Sequence, residues 1–304
     1  MMQLRLKSLT WEAPDVLGLE LVHPDGDDLP PFTPGAHIDL RLPDGDERQF
    51  SLCGDPADAT RYRLGIRAVE GGVVTRKIHD ALRPGELLGV GTPRNNFPLL
   101  PAQRYLFIAG GIGVTPLLPM MRTATVPWTL LYCTRGAAPF LDEARSFGGV
   151  VELHDSRAGR RLDVAARLAT PEPGTLIYCC GPQSLMEAVE AATAHWPEGS
   201  ARFEWFTPRT LPASEAGGFE LVCAGSGITL QVAADQSILA ALTAAGIEVP
   251  SSCEQGVCGT CECRILEGEA EHRDSILSAA ERAAQTVLMT CVSRARTPRL
   301  VLDI

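Results

Sequence analysis

Hydrophobic and polar positions alternate with a period of two along much of the first hundred residues. The segments PGAHIDLRL and RYRLGIRAV show this pattern, which is typical of half-buried β-strands. Turn-forming clusters such as HPDGDDLPPFTPG, LPDGDER and LRPGE separate the apolar runs. The pattern therefore predicts an antiparallel β-barrel or sandwich over this part of the chain.

The pattern changes near residue 104. Short, almost continuously apolar runs follow, namely YLFIAG, TLLYCT, VVELH and TLIYCCG. Helical stretches such as PLLPMMRTA, LDVAARLA and QSLMEAVEAATAHW lie between or after them. Apolar strands alternating with helices indicate a parallel sheet covered by helices.

The stretch TPRTLPASEAGG is rich in Pro, Gly, Ser and Thr and is typical of a linker. Beyond it, the strand pair FELVCAGSG and ITLQVAA and the helix SILAALTAAG lead into a cysteine-rich loop. We therefore predict a β-barrel domain at 1–102, an α/β domain at 103–207, a linker at 208–218 and a third domain at 219–304.

Charge and composition restrict the function. The 304-residue chain carries a formal charge of −10, so a nucleic-acid partner is not expected. The N-terminus lacks the apolar core of a secretion signal, and the longest uncharged run contains glycines and prolines that argue against a membrane span. We predict a cytoplasmic protein, in which closely spaced cysteines indicate metal or redox chemistry rather than disulfides.

Four cysteines have the spacing C-x4-C-x2-C…C that is typical of a plant-type [2Fe–2S] cluster. They are Cys253, Cys258, Cys261 and Cys291. Gly256 and Gly259 allow this loop to fold closely around a cluster. Cys263 is excluded, because the side chain two residues after Cys261 points away if the chain enters a strand. Zinc ligation or unliganded buried cysteines are the alternatives, and paired C-x2-C units typical of zinc are absent from the sequence.

The segment AGGIGVTP joins a predicted strand to a predicted helix. We expect its glycines to allow close approach of a pyrophosphate, Thr115 to cap the helix and Pro116 to lie in its first turn. The glycines are Gly110, Gly111 and Gly113. A purely structural glycine turn is the alternative, because this segment differs from the general dinucleotide-binding motif.

Together these segments resemble the phthalate dioxygenase reductase family. The resemblance extends from about residue 30 to the C-terminus and rests on RQFSLCGDP, PRNNFPL, AGGIGVTP, YCCGPQSLM, FEWF, PSSCEQGVCGTCE and CVSRA. It implies an antiparallel flavin-binding β-barrel, a parallel-sheet nucleotide-binding α/β domain and a C-terminal β-grasp ferredoxin domain.

The resemblance also implies a flavin site. Arg48, Phe50 and Ser51 match the family's R-x-Y-S motif, with Arg48 suited to a phosphate and Phe50 replacing the usual tyrosine. Gly72 and Thr75, in GGVVTRKIH, match its second phosphate-binding segment. FMN is favoured over FAD by resemblance alone. A surface salt bridge for Arg48 and a plain N-cap for Thr75 are the alternatives.

For the nicotinamide ring, the resemblance implies that Cys180, followed by Gly181 and Pro182, approaches the path of the hydride. Phe206 and Glu204 would lie near the flavin. A buried structural role for Cys180 and its neighbour Cys179, and core packing for Phe206, remain alternatives.

The choice of nucleotide depends on the residue that follows the strand TLLYCT. Arg135 stands there in place of an acid that would bind a ribose hydroxyl, so NADPH is an alternative, but we expect NADH.

These sites imply electron transfer from NADH through FMN and a [2Fe–2S] cluster to another protein. By resemblance, the acceptor is the Rieske-type terminal oxygenase of an aromatic dioxygenase or O-demethylase system, and the reductase is a monomer. A haem monooxygenase as acceptor is one alternative. A non-catalytic redox sensor is another, from a different class of protein.

Overall fold

The computed structural model describes residues 1–208 and 217–304. Its contacts separate into two compact units, Met1–Glu204 and Trp205–Ile304. The predicted linker at 208–218 lies largely outside the described residues. The finer division into three domains stays a prediction.

The first half of unit Met1–Glu204 is an antiparallel β-barrel. Its sheet has the strand order β4-β3-β6-β1-β2-β5, and a bridge between Leu52 and Leu64 joins the two edge strands. The elements are β1 (Met2–Ala13), β2 (Val16–Val22), β3 (His37–Arg41), β4 (Glu47–Ser51), β5 (Tyr62–Arg67), the helix α1 (Val73–Asp80) and β6 (Leu87–Val90). The antiparallel barrel predicted from the alternating pattern is confirmed.

Alternate apolar positions of these strands face one core. Leu4 and Leu6 of β1 are fully buried, as are Leu19 and Leu21 of β2, and Ile78 of α1 joins the same cluster. The period of two places every second side chain on the inner face of the sheet. That arrangement leaves the polar positions between them for the surface.

A parallel sheet follows in the same unit, with the order β11-β10-β7-β8-β9. Its elements are β7 (Arg104–Gly110), α2 (Leu117–Thr123), β8 (Trp128–Thr134), α3 (Leu141–Ser146), β9 (Val150–Asp155), α4 (Val164–Arg167), β10 (Thr175–Cys180), α5 (Gln183–Ala192) and β11 (Ala201–Glu204). A short 3-10 helix, Gly111–Val114, follows β7. The central strands are buried almost throughout, which explains their continuous apolar runs.

The barrel and the parallel sheet pack closely within this unit. A Cβ atom on Gly65 of β5 would lie 2.7 Å from Cγ2 of Thr115 and 2.8 Å from the ring of Phe140, so only glycine fits there. Beside it, the Arg63 guanidinium bridges Glu12 of β1 and Glu143 of α3 at 3.0 and 2.6 Å. This packing brings the end of β4 next to the end of β11.

Unit Trp205–Ile304 contains a mixed sheet with the order β13-β12-β18-β14-β16 and a small strand pair, β15 and β17. Its elements are β12 (Phe219–Cys223), β13 (Ile228–Val232), α6 (Ile238–Ala244), β14 (Glu262–Glu267), β15 (Ala270–Glu271), α7 (Ala279–Ala284), β16 (Val287–Met289), β17 (Arg294–Ala295) and β18 (Arg299–Leu302). The last strand pairs in parallel with the first, as expected for the predicted β-grasp fold.

Within the described residues, no helix combines the length and apolar character that crossing a membrane requires.

Candidate redox centres

The four predicted cluster cysteines lie in two pairs. Cys253 is paired with Cys258, and Cys261 is paired with Cys291. The pairing lowers the pKa of the Cys258 and Cys261 thiols and raises the pKa of their partners, Cys253 and Cys291. A binuclear cluster takes four thiolates, two on each iron, so this donor set fits it.

Backbone N–H groups point at the sulfur atoms of this loop. Gln255 N lies 3.3 Å from the sulfur of Cys253, and Thr260 N lies 3.4 Å from that of Cys258. Such bonds stabilise thiolates and tune the potential of a bound cluster.

The loop can fold this tightly because three of its residues adopt positive φ. Gly256 and Gly259 have φ of 69° and 77°, as their predicted role requires, and Glu254 has φ of 52°. Glycine adopts this conformation without steric cost, whereas Glu254 stores strain there. Across residues 1–208 and 217–304, no three His, Cys, Asp or Glu side chains converge as ligands of a single metal ion.

Cys263 faces a different part of the unit. It lies in β14 opposite Leu288, and its side chain packs on the core formed by Phe219, Leu221 and their neighbours. Cys261 and Cys291 instead belong to a second apolar cluster with Leu239, Leu277 and Met289. The predicted exclusion of Cys263 agrees with this geometry.

The predicted flavin residues occupy the end of the barrel. Arg48 and Phe50 of β4 are half-buried, and Phe50 also packs against the barrel core. No carboxylate among the residues that the structure describes forms an ion pair with Arg48, so a surface salt bridge does not account for it. An unpaired arginine at a strand end fits an anionic ligand such as a flavin phosphate.

Thr75 lies inside α1 rather than at its start. Gly72 is the residue that precedes the helix, and the buried Thr75 is the third helical residue. Its hydroxyl oxygen accepts a 3.4 Å hydrogen bond from the N–H of Val69. The N-cap alternative for Thr75 is therefore wrong. The first turn of α1 contains no acidic residue, which leaves its N–H groups suited to a phosphate.

Ser51, Cys180 and Glu204 meet where the barrel joins the parallel sheet. The Ser51 hydroxyl donates to Oε2 of Glu204 at 3.2 Å, although 153 positions separate the two residues. Cys180 and Glu204 are direct neighbours in the parallel strands β10 and β11. Burial raises the pKa of the Cys180 thiol far above its ordinary value, so the thiol stays neutral.

Burial raises the pKa of Glu204 from 4.5 to about 8, and the Ser51 hydrogen bond opposes this only in part. Between these values the folded state keeps a proton that the unfolded state releases, so stability falls as pH rises. The loss is on the order of 5 kcal/mol and is complete above pH 8. We expect Glu204→Gln to remove it, giving a flatter profile of the melting temperature against pH from 4.5 to 8.

The matched control for this prediction is Glu198→Gln, the same change at an exposed position of the same unit. Thermal unfolding of the full chain, followed by circular dichroism across this pH range, supplies the comparison. Equal slopes for wild type and Glu204→Gln would show that Glu204 is ionised at neutral pH.

The glycine loop after β7 packs against the end of β10. A Cβ on Gly110 would lie 2.3 Å from Cδ of Pro182, and one on Gly113 would lie 2.3 Å from the carbonyl oxygen of Cys180. Gly181 in turn approaches the backbone of Gly110. The sequence predicts that a pyrophosphate approaches Gly110 and Gly113 closely. In the structure, Pro182 and the backbone of Cys180 occupy those positions instead. Gly111, with φ of 54°, faces open space, so a pyrophosphate contact there stays a prediction.

The predicted capping role of Thr115 is wrong. Its hydroxyl donates to the carbonyl oxygen of Ile112 at 2.9 Å, and α2 begins only at Leu117, after Pro116. The 3-10 helix Gly111–Val114 causes this shift, because Thr115 continues it with helical backbone angles. An N-cap residue needs an extended backbone instead.

Arg135 is exposed after β8, at the edge of the sheet where ligands bind in this type of fold. Sequence reasoning missed the neighbouring Asp155, whose carboxylate accepts hydrogen bonds from the N–H groups of Gly136 and Arg157 at 2.9 and 3.0 Å. An acidic residue directly after the strand run VVELH was the available signal. Asp155 fixes the turn that carries Arg135.

Phe206 is half-buried and follows Glu204 by two residues, at the start of the second compact unit. Both its predicted position near the flavin and its alternative role in core packing stay predictions.

Comparisons with known proteins agree with this arrangement. Residues 221–296 match the family model described as a 2Fe-2S iron-sulfur cluster binding domain. The chain is 41% identical to the phthalate 4,5-dioxygenase oxygenase reductase subunit of Pseudomonas putida, covering 99% of this chain and 96% of that protein.

Two solved structures are similar over the whole chain. Phthalate dioxygenase reductase matches with a TM-score of 0.70 and 36% identity, over 100% of this chain and 98% of that one. An intact type IV self-sufficient cytochrome P450 monooxygenase matches with a TM-score of 0.91 and 40% identity, over 99% of this chain. The present chain spans 41% of that longer protein.

Fold, cysteine pairs and relatives together define an NAD(P)H-dependent oxidoreductase with an iron–sulfur domain, of the class that serves oxygenases as reductase component. The chain belongs to the phthalate dioxygenase reductase family.

Proposed function

We propose that this protein transfers electrons from NADH through FMN and a [2Fe–2S] cluster to the Rieske-type terminal oxygenase of an aromatic dioxygenase or O-demethylase system. The observation that carries the proposal is the arrangement of four cysteines: backbone N–H groups point at the sulfurs of Cys253 and Cys258, and Cys261 and Cys291 lie together in one apolar cluster. We assign the flavin domain to 1–102, the nucleotide domain to 103–207 and the ferredoxin domain to 219–304. A monomer in the reducing cytoplasm is the form we expect to act.

The bound groups supply the redox chemistry, since a flavin accepts two electrons from a nicotinamide and releases them singly to a one-electron centre. The chain binds and orients these groups. Arg48, Ser51 and the start of α1 around Gly72 form the polar lining proposed for the flavin. Gly111 offers an open backbone position to the nucleotide pyrophosphate.

Glu204 is the proton-holding residue of the proposed flavin site. Its raised pKa of about 8 keeps the carboxyl group protonated at neutral pH. The adjacent Cys180 thiol is neutral and fully buried, so neither group places a negative charge where a hydride has to arrive. Ser51 holds the Glu204 carboxyl in place through Oε2.

An anaerobic titration tests the proposed electron path. The purified protein should show flavin and cluster absorption that bleaches with about three electrons per chain, two on the flavin and one on the cluster. Chromatography of the released flavin identifies FMN or FAD. Repeating the titration with NADPH compares the two nucleotides and tests the role of Arg135. A colourless protein that contains zinc would overturn the proposal.

A haem monooxygenase is the second candidate acceptor, because the chain matches the P450 fusion protein with a TM-score of 0.91. Turnover with purified oxygenases of the Rieske type and of the haem type separates the two. Steady turnover with an artificial one-electron acceptor would argue against a non-catalytic sensor.

Arg48→Gln tests the flavin site. A charge-assisted hydrogen bond to phosphate contributes roughly 1.5–3 kcal/mol, so we expect flavin affinity to fall about 10–100-fold. Fluorescence titration of the flavin-depleted protein with FMN measures the change. Arg41→Gln is the control, since Arg41 pairs with Glu47 on the exposed side of the same strand pair. Equal affinities for both variants would place the phosphate elsewhere.

A further inference from the structure

A buried carboxylate lies beside the cysteine loop, and the proposed function gives it no role. Asp274 is 1% exposed, and its Oδ1 accepts hydrogen bonds from the N–H groups of Ile276 and Leu277 at 3.0 and 2.7 Å. Its nearest charged or titratable neighbours, Arg282 and His272, approach the carboxylate only to 3.9 and 3.8 Å. A buried charge is costly unless hydrogen bonds compensate for it. The two backbone N–H groups supply this compensation, so the carboxylate holds the segment that carries them.

These hydrogen bonds shape the turn 274–277. Arg282 holds the same turn from the other side, because its Nη2 donates to the carbonyl oxygen of Asp274 at 2.7 Å. Leu277, at the end of the turn, packs in the apolar cluster that contains Cys261 and Cys291. The turn is therefore rigidly held next to the proposed cluster.

The turn is joined to the cysteine loop at Gly256. The N–H of Ser275 donates to the carbonyl oxygen of Gly256 at 2.8 Å. A Cβ on Gly256 would lie 3.1 Å from Cα of Asp274 and 2.7 Å from Cγ2 of Val292, so the loop backbone fits tightly between the two.

Gly256 directly follows Gln255, whose backbone N lies 3.3 Å from the sulfur of Cys253. The path from Asp274 to a sulfur of the proposed cluster is thus short: the carboxylate orders the turn, Ser275 of the turn holds Gly256, and Gly256 fixes the neighbouring Gln255 N–H at Cys253.

We propose that Asp274 is a positioning residue for the iron–sulfur centre, acting through Ser275 and Gly256 to hold the N–H···S hydrogen bond from Gln255 to Cys253. This inference rests on the proposed function, in which Cys253 is a cluster ligand. N–H donors to sulfur favour the reduced, more negatively charged cluster, so the turn raises the reduction potential.

Two substitutions separate this positioning role from the effect of the buried charge. Both remove the negative charge of Asp274, which opposes electron uptake, so both carry the same upward electrostatic shift of the potential. Asp274→Asn keeps an acceptor oxygen for Ile276 and Leu277, whereas Asp274→Ala removes it, so in the Ala variant the turn relaxes and the N–H···S bond lengthens. We expect a lower midpoint potential for Asp274→Ala than for Asp274→Asn, measured by anaerobic redox titration of the full-length holoprotein.

The electron paramagnetic resonance spectrum of the reduced cluster supplies a second readout. We expect changed g-values for Asp274→Ala and wild-type values for Asp274→Asn. If the Ala variant assembles no cluster, assembly in the Asn variant still supports positioning by the acceptor oxygen. The control is Asp303→Asn, the same change at an exposed carboxylate of the same unit, which should shift neither readout.

Other outcomes overturn the proposal. Equal potentials in the two variants, or a higher potential in Asp274→Ala than in Asp274→Asn, would show that Asp274 does not position the loop. Failure of the Asn variant to assemble a cluster would do the same. A wild-type protein without any cluster would instead refute the proposed function, so the two failures are distinguishable.

Discussion

Replacing Cys291 by serine is expected to remove the iron–sulfur cluster while NADH continues to reduce the flavin. Cys291 lies with Cys261 in one apolar cluster and is the proposed fourth ligand, so its loss would leave one iron without a thiolate ligand. We expect cluster content to fall on the order of tenfold or more, because assembled centres depend on the complete ligand set. Iron analysis and visible spectroscopy measure the cluster, and anaerobic stopped flow measures flavin reduction.

The matched control is Cys263→Ser. Cys263 lies in β14 and packs on the opposite core, so its thiol is not available to the cluster. The cluster spectrum should be unchanged, with a stability loss of about 1 kcal/mol for a hydroxyl in an apolar site. An intact cluster in Cys291→Ser, or a lost one in Cys263→Ser, would show that the fourth ligand is assigned to the wrong cysteine.

Gly113→Ala is expected to have the largest effect on the nucleotide-binding half. The added Cβ would lie 2.3 Å from the carbonyl oxygen and 2.5 Å from the carbonyl carbon of Cys180, and neither backbone atom can move alone. The loop and the end of β10 must separate, at a cost of ~3 kcal/mol, the upper range for overpacking. This corresponds to a melting temperature lower by about 6–12 °C, with flavin reduction by NADH impaired as well.

Gly111→Ala is the comparison within the same loop. A Cβ there meets no atom within 4 Å, so the cost comes only from the φ of 54° and amounts to about 1 kcal/mol, or roughly 2–4 °C. The melting temperatures of both variants, measured by thermal unfolding, give the two losses. A loss for Gly113→Ala no larger than that for Gly111→Ala would show that contact with Cys180 is not what requires glycine at position 113.

The local patterns in the sequence predicted the folds of the domains and the cysteine pattern well. The hydrophobic pattern of a strand involves residues that are close in sequence. Both the alternating barrel strands and the continuously apolar parallel strands can therefore be predicted from the sequence alone. Cys253, Cys258 and Cys261 share one loop, and their spacing reports directly on the group they suit. The glycine loop was also visible, although its 3-10 turn displaced Thr115 from the predicted cap.

Contacts between distant segments could not be predicted in this way. Ser51 and Glu204 are separated by 153 positions, and only the packing of barrel against parallel sheet brings them together. Gly113 looks like a ligand-binding glycine in sequence, yet the structure places it against the carbonyl group of Cys180.

The sequence by itself thus determined which elements form and which cysteines suit an iron–sulfur cluster, because both depend on spacing along the chain. Only the tertiary structure buried Glu204 between strands of two sheets, which raises its pKa. Asp274 is likewise an ordinary polar residue in the sequence, and its role depends on the fold. Folding buries its charge and joins its turn to the cysteine loop through Ser275 and Gly256.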